Sequence, residues 1–301
     1  MILHKEKELF DQVVIRASEQ LGISETIIEK DYYVTYVLKE LIKKEPNIIF
    51  KGGTSLSKCY KLIERFSEDV DLNYKQDAET LTDKGRKELS NKVIHVIEKC
   101  EMELGNENEI KSRAKYNKYV IKYNAQHSLE IIKDHVIIEI SLFIDSFPTV
   151  PLAADCYIYQ YLKDHNEEII EQYQLQPFTV NVQTMERTFI DKVFAICDYY
   201  LHGEMREHSR HLYDLYKLYP GIVWDKKFQD LVEEVRVVRR ENKTCDSAKA
   251  GCSVTNIIHE IIQNKVYEND YTTITQHLLF EDVSYEQCIV ILEEIKYKNI
   301  F

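Results

Sequence analysis

The chain has 301 residues, of which 44% are hydrophobic and 30% are charged, a balance typical of a globular protein with one large or two modest domains. Its formal net charge of −12 disfavours a protein that coats nucleic acid without specificity, because such proteins usually carry a basic footprint. No apolar run approaches the roughly 20 residues that a membrane-spanning helix needs.

The N-terminal residues MILHKEKELF carry charges where a secretory signal would be apolar. The seven cysteines are an odd number and form no CxxC pair, which argues against a disulfide framework and against zinc. We therefore expect a cytoplasmic protein with reduced cysteines and no membrane association.

Hydrophobic periodicity predicts alternating helices and strands in the first half of the chain. In chain order the predicted elements are two helices within residues 5–45, a strand at Asn47–Phe50, a helix with apolar positions from Leu56 to Ile63, a strand at Asp69–Tyr74, a helix at Thr82–Glu103, and strands at Tyr119–Tyr123 and His135–Phe143. Beyond Pro148 and Pro151 the pattern predicts helices alone. An α+β fold is indicated, with a mixed α/β domain at 1–147 and a mainly helical domain at 148–301.

The first chemically informative segment is Lys51-Gly-Gly-Thr-Ser-Leu-Ser-Lys58, directly after a short apolar strand. Two glycines let a backbone approach a phosphate closely, and Thr54 or Ser55 would then cap the following helix. Taken alone, a Gly-Gly-Thr sequence before a helix is more often only a turn and a cap.

Support comes from Arg65-Phe-Ser-Glu-Asp-Val-Asp-Leu72. On a strand, Asp69 and Asp71 point to the same face, where Mg²⁺ would relieve their repulsion. An exposed edge with two solvated aspartates is the alternative.

A third carboxylate, Glu139, interrupts the apolar strand at His135–Phe143. A charge at such a position is costly unless it is paired or bound to metal. Asp69, Asp71 and Glu139 on adjacent strands would form a site for Mg²⁺ or Mn²⁺, in the arrangement used for in-line nucleotidyl transfer. Glu139 could instead pair with a buried lysine or arginine.

The glycine turn followed by Asp-x-Asp resembles the DNA polymerase beta nucleotidyltransferase superfamily and, more closely, the AbiEii/AbiGii-type toxins of bacterial abortive-infection and type IV toxin–antitoxin systems. The similarity continues in order along nearly the whole chain. Its further motifs are Glu29-Lys-Asp-Tyr32, Glu186-Arg-Thr-Phe-Ile-Asp-Lys192, Arg210-His-Leu-Tyr-Asp-Leu215, Asp270-Tyr271 and Val283-Ser-Tyr-Glu-Gln287.

The resemblance implies a role for each matching residue. Gly53, Thr54 and Ser55 would hold the triphosphate, with Gly52, Lys58 and Arg210 as further nucleotide-binding candidates. Ser67, Asp69 and Asp71 would be catalytic, Lys192 would neutralise phosphate charge, and Asp214 would assist. A helical lobe would contribute Lys192 and Asp214 across a cleft.

The local patterns alone favour plainer roles for the distal residues. Lys192 lies beside an apolar helix stripe, where a lysine usually extends its ammonium group to water. Arg210 and Asp214 have the i, i+4 spacing of an ion pair within one helix.

The resemblance implies a metal-dependent enzyme that moves a nucleotide from a nucleoside triphosphate to an acceptor hydroxyl, with tRNA as a plausible acceptor and a cognate antitoxin encoded nearby. The alternatives are nucleotidylation of a protein or a small molecule, and a non-catalytic nucleotide-binding or interaction toxin. Two basic stretches, Lys111–Lys122 and Arg236–Lys243, are either solvated faces or a docking patch for acceptor RNA.

Overall fold

The computed structural model describes residues 1–67, 69–75, 82–128 and 132–301. The chain forms two compact units that interleave along the sequence. The sheet unit comprises Met1–Tyr60, Ser67–Leu142 and Thr149–Val182, and the helical unit comprises Lys61–Phe66, Phe143–Pro148 and Gln183–Phe301. The domain boundary predicted at residues 147–148 stays a prediction, since these units describe compactness rather than independent folding.

The elements in the described ranges confirm an α+β fold. The seven strands are β1 (Ile48–Lys51), β2 (Asp69–Tyr74), β3 (Glu103–Leu104), β4 (Tyr116–Lys122), β5 (His135–Ser141), β6 (Thr149–Ala154) and β7 (Phe178–Gln183). The twelve α-helices are α1 (Lys7–Leu21), α2 (Glu25–Lys44), α3 (Gly52–Lys58), α4 (Asp83–Lys99), α5 (Tyr157–Leu162), α6 (Glu167–Tyr173), α7 (Met185–His202), α8 (Arg210–Leu218), α9 (Lys226–Arg240), α10 (Val254–Gln263), α11 (Glu268–Thr273) and α12 (Tyr285–Lys298).

Within the described part of the chain, the strands form one mixed sheet in the order β3-β4-β5-β2-β1-β7-β6. At its centre β2 is antiparallel to β1 and parallel to β5, while β1 is parallel to β7. On the far side β5 is antiparallel to β4, which in turn pairs with β3. This order places β2, the strand with the Asp-x-Asp sequence, between β1 and β5.

Alternation along the central strands separates an apolar face from a polar one. Phe50, Leu72, Ile138 and Tyr119 are buried in one core cluster together with apolar residues of α1, α2 and α4. Burying a large apolar side chain contributes roughly 1.5–3 kcal/mol, which fixes the register of the strands, since a slip of one residue would expose this set. The alternate residues of these strands therefore lie on the opposite, polar face of the sheet.

In the helical unit, α8, α9 and α10 each pack against α7. Two short segments from earlier in the chain, Lys61–Phe66 and Phe143–Pro148, belong to this unit. The first segment pairs with the stretch after α11: the Phe66 amide donates to the Leu278 carbonyl (2.9 Å) and the Phe280 amide to the Glu64 carbonyl (2.8 Å). The second is held by the Arg187 guanidinium, which donates to the carbonyls of Phe147 (2.7 Å) and Asp145 (2.8 Å).

The structure differs from the sequence-based expectation in several places. The helix predicted to reach Glu103 ends at Lys99 and is followed by the unpredicted β3, and β4 begins at Tyr116 instead of Tyr119. Strands β6 and β7 occur where helices alone were predicted, and β6 lies at the sheet edge, where the missing amide of Pro151 is tolerated. The helix expected to reach Ile63 ends at Lys58, and Lys61 then adopts a left-handed φ of 57° that a helix cannot accommodate.

Candidate functional site

A glycine turn joins β1 to α3 and lies directly against the acidic strand. Gly52 has a φ of +75°, which L-residues with a side chain rarely adopt. A Cβ atom built on Gly52 would also overlap the Asp71 carboxylate. Glycine is therefore required here both for its conformation and for the space that the Asp71 side chain occupies.

The hydroxyl groups after the turn connect α3 to the start of β2. Thr54 Oγ1 donates to Ser67 Oγ (2.8 Å) and contacts the Asp69 carbonyl, whereas Ser55 Oγ donates to the Gly52 carbonyl (2.8 Å). The expectation that Thr54 or Ser55 caps the helix is wrong, because Lys51 occupies the N-cap position and no side chain caps it. The Thr54 hydroxyl instead links the turn to Ser67 and Asp69.

The register of four strands places a row of charges across the polar face of the sheet. Lys51 on β1 pairs with Asp71 on β2, Asp71 with Glu139 on β5, and Glu139 with Lys118 on β4. Residues directly opposite one another share a face, and Asp69, two positions from Asp71, lies on that face too. The structure thus brings all three predicted carboxylates onto one side of neighbouring strands.

Glu139 is less isolated than its apolar neighbours suggested. Its side chain is 27% exposed, and a carboxylate oxygen lies 3.6 Å from Lys118 Nζ, on a side chain that is itself 44% exposed. The sequence-based alternative was that Glu139 pairs with a buried lysine or arginine. Glu139 does have a lysine partner, but that lysine is exposed and not buried. Tyr116 lies beside the same group: burial and then the charges of Glu139, Asp71 and Asp69 raise its pKa.

The donor set suits a hard divalent cation such as Mg²⁺. Asp69 and Asp71 offer carboxylate oxygens from partly exposed positions, and the side-chain-free Gly52 leaves room at Asp71. In the described ranges, no group of three or more His, Cys, Asp or Glu side chains converges to hold a metal by itself. Mg²⁺ is usually held by one or two carboxylates plus substrate phosphates and water, so a two-carboxylate site fits this ion.

Lys58, a nucleotide-binding candidate, has a buried structural environment. Its ammonium group contacts Asp31 Oδ1 and Thr35 Oγ1, both at 2.5 Å, and is 4% exposed. Asp31 also accepts the Tyr157 amide (2.9 Å), and Glu29 accepts the amide of His127 (2.8 Å). These contacts give Glu29-Lys-Asp-Tyr32 a scaffolding role that includes anchoring the end of α3.

The distal candidates meet in a second cluster, inside the helical unit. Arg65 donates two parallel hydrogen bonds to the Asp214 carboxylate, from Nε to Oδ1 (2.7 Å) and from Nη2 to Oδ2 (2.8 Å). Lys192 Nζ donates to Asp214 Oδ2 (2.5 Å) and lies 3.3 Å from His211 Nδ1. The side chains of Arg65, Lys192 and Asp214 are 2%, 6% and 0% exposed, so the solvated lysine expected from the pattern alone is wrong.

Two cations share one carboxylate in this buried cluster. Burial would raise the pKa of Asp214, but the charges of Arg65 and Lys192 outweigh it and hold the pKa well below its usual value. Burial, reinforced by Arg65, lowers the pKa of Lys192 despite the attraction of Asp214. Burial and then the charge of Lys192 hold the pKa of His211 well below its usual value. The cluster therefore carries excess positive charge whenever Lys192 is protonated.

Sequence reasoning missed two residues of these groups. Asp214 forms its ion pairs with Arg65, from a distant segment, and with Lys192 on α7. The sequence predicts no site role for Arg65, because its partner is far away in the chain and no local spacing indicates the pair. Tyr116 was missed because the register of β4 on β5 cannot be read from either strand alone. Arg210 lies near enough to lower the pKa of Lys192 electrostatically.

A mixed sheet in which a glycine turn runs against an Asp-x-Asp strand, with a third carboxylate in register, is the arrangement expected of a nucleotidyltransferase. The family model described as "Nucleotidyl transferase AbiEii toxin, Type IV TA system" matches residues 37–289, and the chain belongs to this family. All the candidate residues lie within the matched range. No curated protein matches the chain.

Family membership makes the chain a nucleotidyltransferase toxin of a type IV toxin–antitoxin system, and thus implies an antitoxin partner. Across the described ranges, no helix has both the length and the apolar character needed to span a membrane.

Proposed function

We propose that the chain transfers a nucleotide from a nucleoside triphosphate to an acceptor hydroxyl, with Mg²⁺ or Mn²⁺ held by Asp69 and Asp71 and with Glu139 as a third carboxylate. The observation that carries the proposal is the register of Asp71 with Glu139, with Gly52 packed against Asp71. Three carboxylates on one face repel one another unless a cation lies between them. A divalent cation and a triphosphate satisfy that requirement together.

The chain's own residues would bind and orient the substrate. The Gly52–Gly53 backbone would approach the triphosphate, and Thr54 and Ser55 would line it. The Thr54–Ser67 hydrogen bond holds Ser67 and the start of β2 in place relative to the turn. When bound, the metal would supply positive charge to the phosphate oxygens. Lys192, with Asp214 beside it, is proposed to neutralise phosphate charge, and Arg210 to bind the nucleotide. Lys58, which is bound to Asp31 and Thr35, is proposed to support α3 and not to bind the nucleotide.

The proposed acceptor is the 3′ end of tRNA, which would couple the reaction to growth arrest, and the proposed partner is an antitoxin encoded nearby in a bacterial genome. A protein hydroxyl or a small molecule is the alternative acceptor. A nucleotide-binding toxin without turnover is the second alternative. The partial exposure of Asp69, Asp71 and Glu139 favours the enzyme, because carboxylates on an accessible polar face can bind a metal ion and approach substrate phosphates.

Incubation of the protein with radiolabelled nucleoside triphosphates, Mg²⁺, and either total RNA or a protein lysate tests the proposal in one gel. We expect labelled RNA of tRNA size and at least a ~100-fold lower rate for Asp69→Ala, since a lost metal ligand removes several kcal/mol of transition-state stabilisation. Asp164→Ala, which changes an exposed aspartate of the sheet unit, is the matched control and should keep the wild-type rate.

If only protein became labelled, the acceptor would be a protein hydroxyl and not tRNA. If the folded Asp69→Ala variant transferred label as fast as wild type, the assignment of the acidic strand would be wrong.

A further inference from the structure

A basic segment enters β4 beside the acidic row. Between Lys111 and Lys122 the sequence KSRAKYNKYVIK contains five cationic residues and no acidic one, in a chain with a net charge of −12. All five cationic side chains are exposed: Lys111, Arg113, Lys115, Lys118 and Lys122. A local patch of this kind, in an otherwise acidic protein, attracts a polyanion to one place rather than to the whole surface.

Most of these cations are only weakly neutralised by the protein. Lys122 lies 3.2 Å from Glu103, and Arg113 lies 4.0 Å from Asp83, in pairs whose side chains are all more than half exposed. The ammonium groups of Lys111 and Lys115 make no ion pair with any residue that the structure describes. Exposed pairs of this kind contribute ~0–1 kcal/mol, so a ligand phosphate can compete for their cations.

The segment is held in a defined shape before any ligand binds. The buried Asn117 side chain accepts the Lys111 amide (3.0 Å) and donates to the Lys111 carbonyl (3.1 Å), which closes the loop at its base. Arg86 Nε donates to the Arg113 carbonyl (2.6 Å), and the Leu142 amide donates to the Lys115 carbonyl (2.7 Å). The cations therefore lie on a fixed backbone, which lowers the entropic cost of binding.

An aromatic side chain lies between the loop and the carboxylates. Tyr116 is 42% exposed and precedes Lys118 by two positions, so both lie on the face that carries Asp71 and Glu139. The influence of Glu139, Asp71 and Asp69 on the Tyr116 hydroxyl agrees with this placement. Single-stranded nucleic acid binds such surfaces by stacking its bases on the aromatic ring while its phosphates contact the basic loop.

The other basic stretch, Arg236–Lys243, lacks this character. Arg236 pairs with Glu233, Arg239 is divided between Asp191 (3.1 Å) and Asp198 (2.8 Å), and Arg240 Nε donates to the Ala248 carbonyl (2.9 Å). These guanidinium groups are committed to the helical unit. The stretch before and along β4 therefore offers several exposed and weakly neutralised cations, whereas the arginines of Arg236–Lys243 are bound to the protein and Lys243 adds one exposed lysine.

We infer that Lys111, Arg113, Lys115 and Tyr116 form the surface that receives the single-stranded end of the acceptor RNA. The loop cations contact its phosphates, and the Tyr116 ring stacks on a base near the end, so that the terminal hydroxyl reaches the Asp69–Asp71 face. This inference rests on the proposed function and specifies its acceptor side. RNA supplies both the phosphates that the loop cations attract and the bases that stack on an aromatic ring.

The test uses the full chain and two measurements. The first is equilibrium binding of a fluorescent single-stranded oligoribonucleotide over a range of salt concentrations. The second is the KM for RNA and the KM for nucleotide in the transfer reaction. The variants are Lys111→Glu/Lys115→Glu, Tyr116→Ala and Tyr116→Phe. Lys44→Glu/Lys163→Glu is the control, since it makes the same charge change at exposed lysines elsewhere on the sheet unit.

For Lys111→Glu/Lys115→Glu we expect a higher KM for RNA, an unchanged KM for nucleotide, and a salt slope smaller by about 0.7 for each phosphate that the protein no longer neutralises. Tyr116→Ala should weaken RNA binding by about 5- to 150-fold, the range for the loss of one stacked base, and Tyr116→Phe should restore it. The control should match wild type in both measurements.

Wild-type RNA affinity and salt slope in Lys111→Glu/Lys115→Glu, together with an unaffected Tyr116→Ala, would overturn the inference. An oligoribonucleotide that fails to bind the wild-type protein would overturn it as well. If RNA binds through this surface but no label is transferred to it, the RNA-binding surface is supported and the proposed acceptor reaction fails, so the two failures are distinguishable.

Discussion

The two charge clusters combine the same chemical groups in opposite environments. In the sheet unit, Glu139 meets Lys118 at 3.6 Å with both side chains partly exposed, and Asp69 and Asp71 add further negative charge on the same face. In the helical unit, Asp214 is fully buried and shared by Arg65 and Lys192 at 2.5–2.8 Å. Carboxylates are in excess in the first cluster, and cations are in excess in the second.

The difference shows that the contribution of an ion pair to stability depends on its burial and not only on the distance between the charges. Water screens the exposed pair, so its net contribution to stability is small and its carboxylate stays accessible to a ligand. The buried charges have lost their hydration and depend on one another, so removal of one leaves the others unsatisfied. The exposed cluster is therefore suited to exchange partners during a reaction, and the buried cluster to hold a fixed geometry.

The largest expected effect is on stability, at Asp214. Asp214→Asn leaves Arg65 and Lys192 as buried cations without a counter-ion and should lower the free energy of unfolding by roughly 3–5 kcal/mol. Glu139→Gln removes only a partly exposed pair and should change it by less than about 1 kcal/mol. Denaturant unfolding followed by circular dichroism measures both variants, and equal losses would mean that burial does not distinguish the clusters.

The pH dependence of stability sharpens the same contrast. Because Arg65 and Lys192 lower the folded-state pKa of Asp214, its contribution is fully present above the unfolded-state value of about 3.9 and is lost as the pH falls below it. Wild type should lose up to about 1.4 kcal/mol per pH unit below pH 4 from this group. Asp214→Asn should lack that component. Identical slopes in the two proteins below pH 4 would show that Asp214 is not held ionised.

The sequence predicted the acidic strand and the glycine turn well because their signals are local. Asp69–Tyr74 was predicted with the bounds that the structure gives, and the need for glycine at Gly52 follows from the turn that connects β1 to α3. The α+β class also followed from the order of elements. Each of these features depends on residues that are close together in the chain.

The features that were missed depend on contacts between distant segments. The pairing of Arg65 with Asp214 arises from packing in the helical unit, and no spacing in the sequence encodes it. Strand β7 was missed although its Val180 and Val182 alternate with polar residues, because six residues between helical patterns give a weak signal. The neighbours of Glu139 depend on strand order and register, which a single strand does not specify.

The central claim is that Asp69 and Asp71 bind a divalent cation together with a nucleoside triphosphate, and a thermal melt tests it most directly. A ligand specific to the folded state stabilises it by about 2.7 kcal/mol at a hundredfold excess over its dissociation constant. We expect Mg²⁺ with nucleotide to raise the wild-type melting temperature more than either alone. Asp69→Asn/Asp71→Asn relieves the repulsion, so without ligand it should melt no lower than wild type, and it should lose the response to Mg²⁺ and nucleotide. A full wild-type response in this double variant would place the nucleotide elsewhere and contradict the assignment of the site.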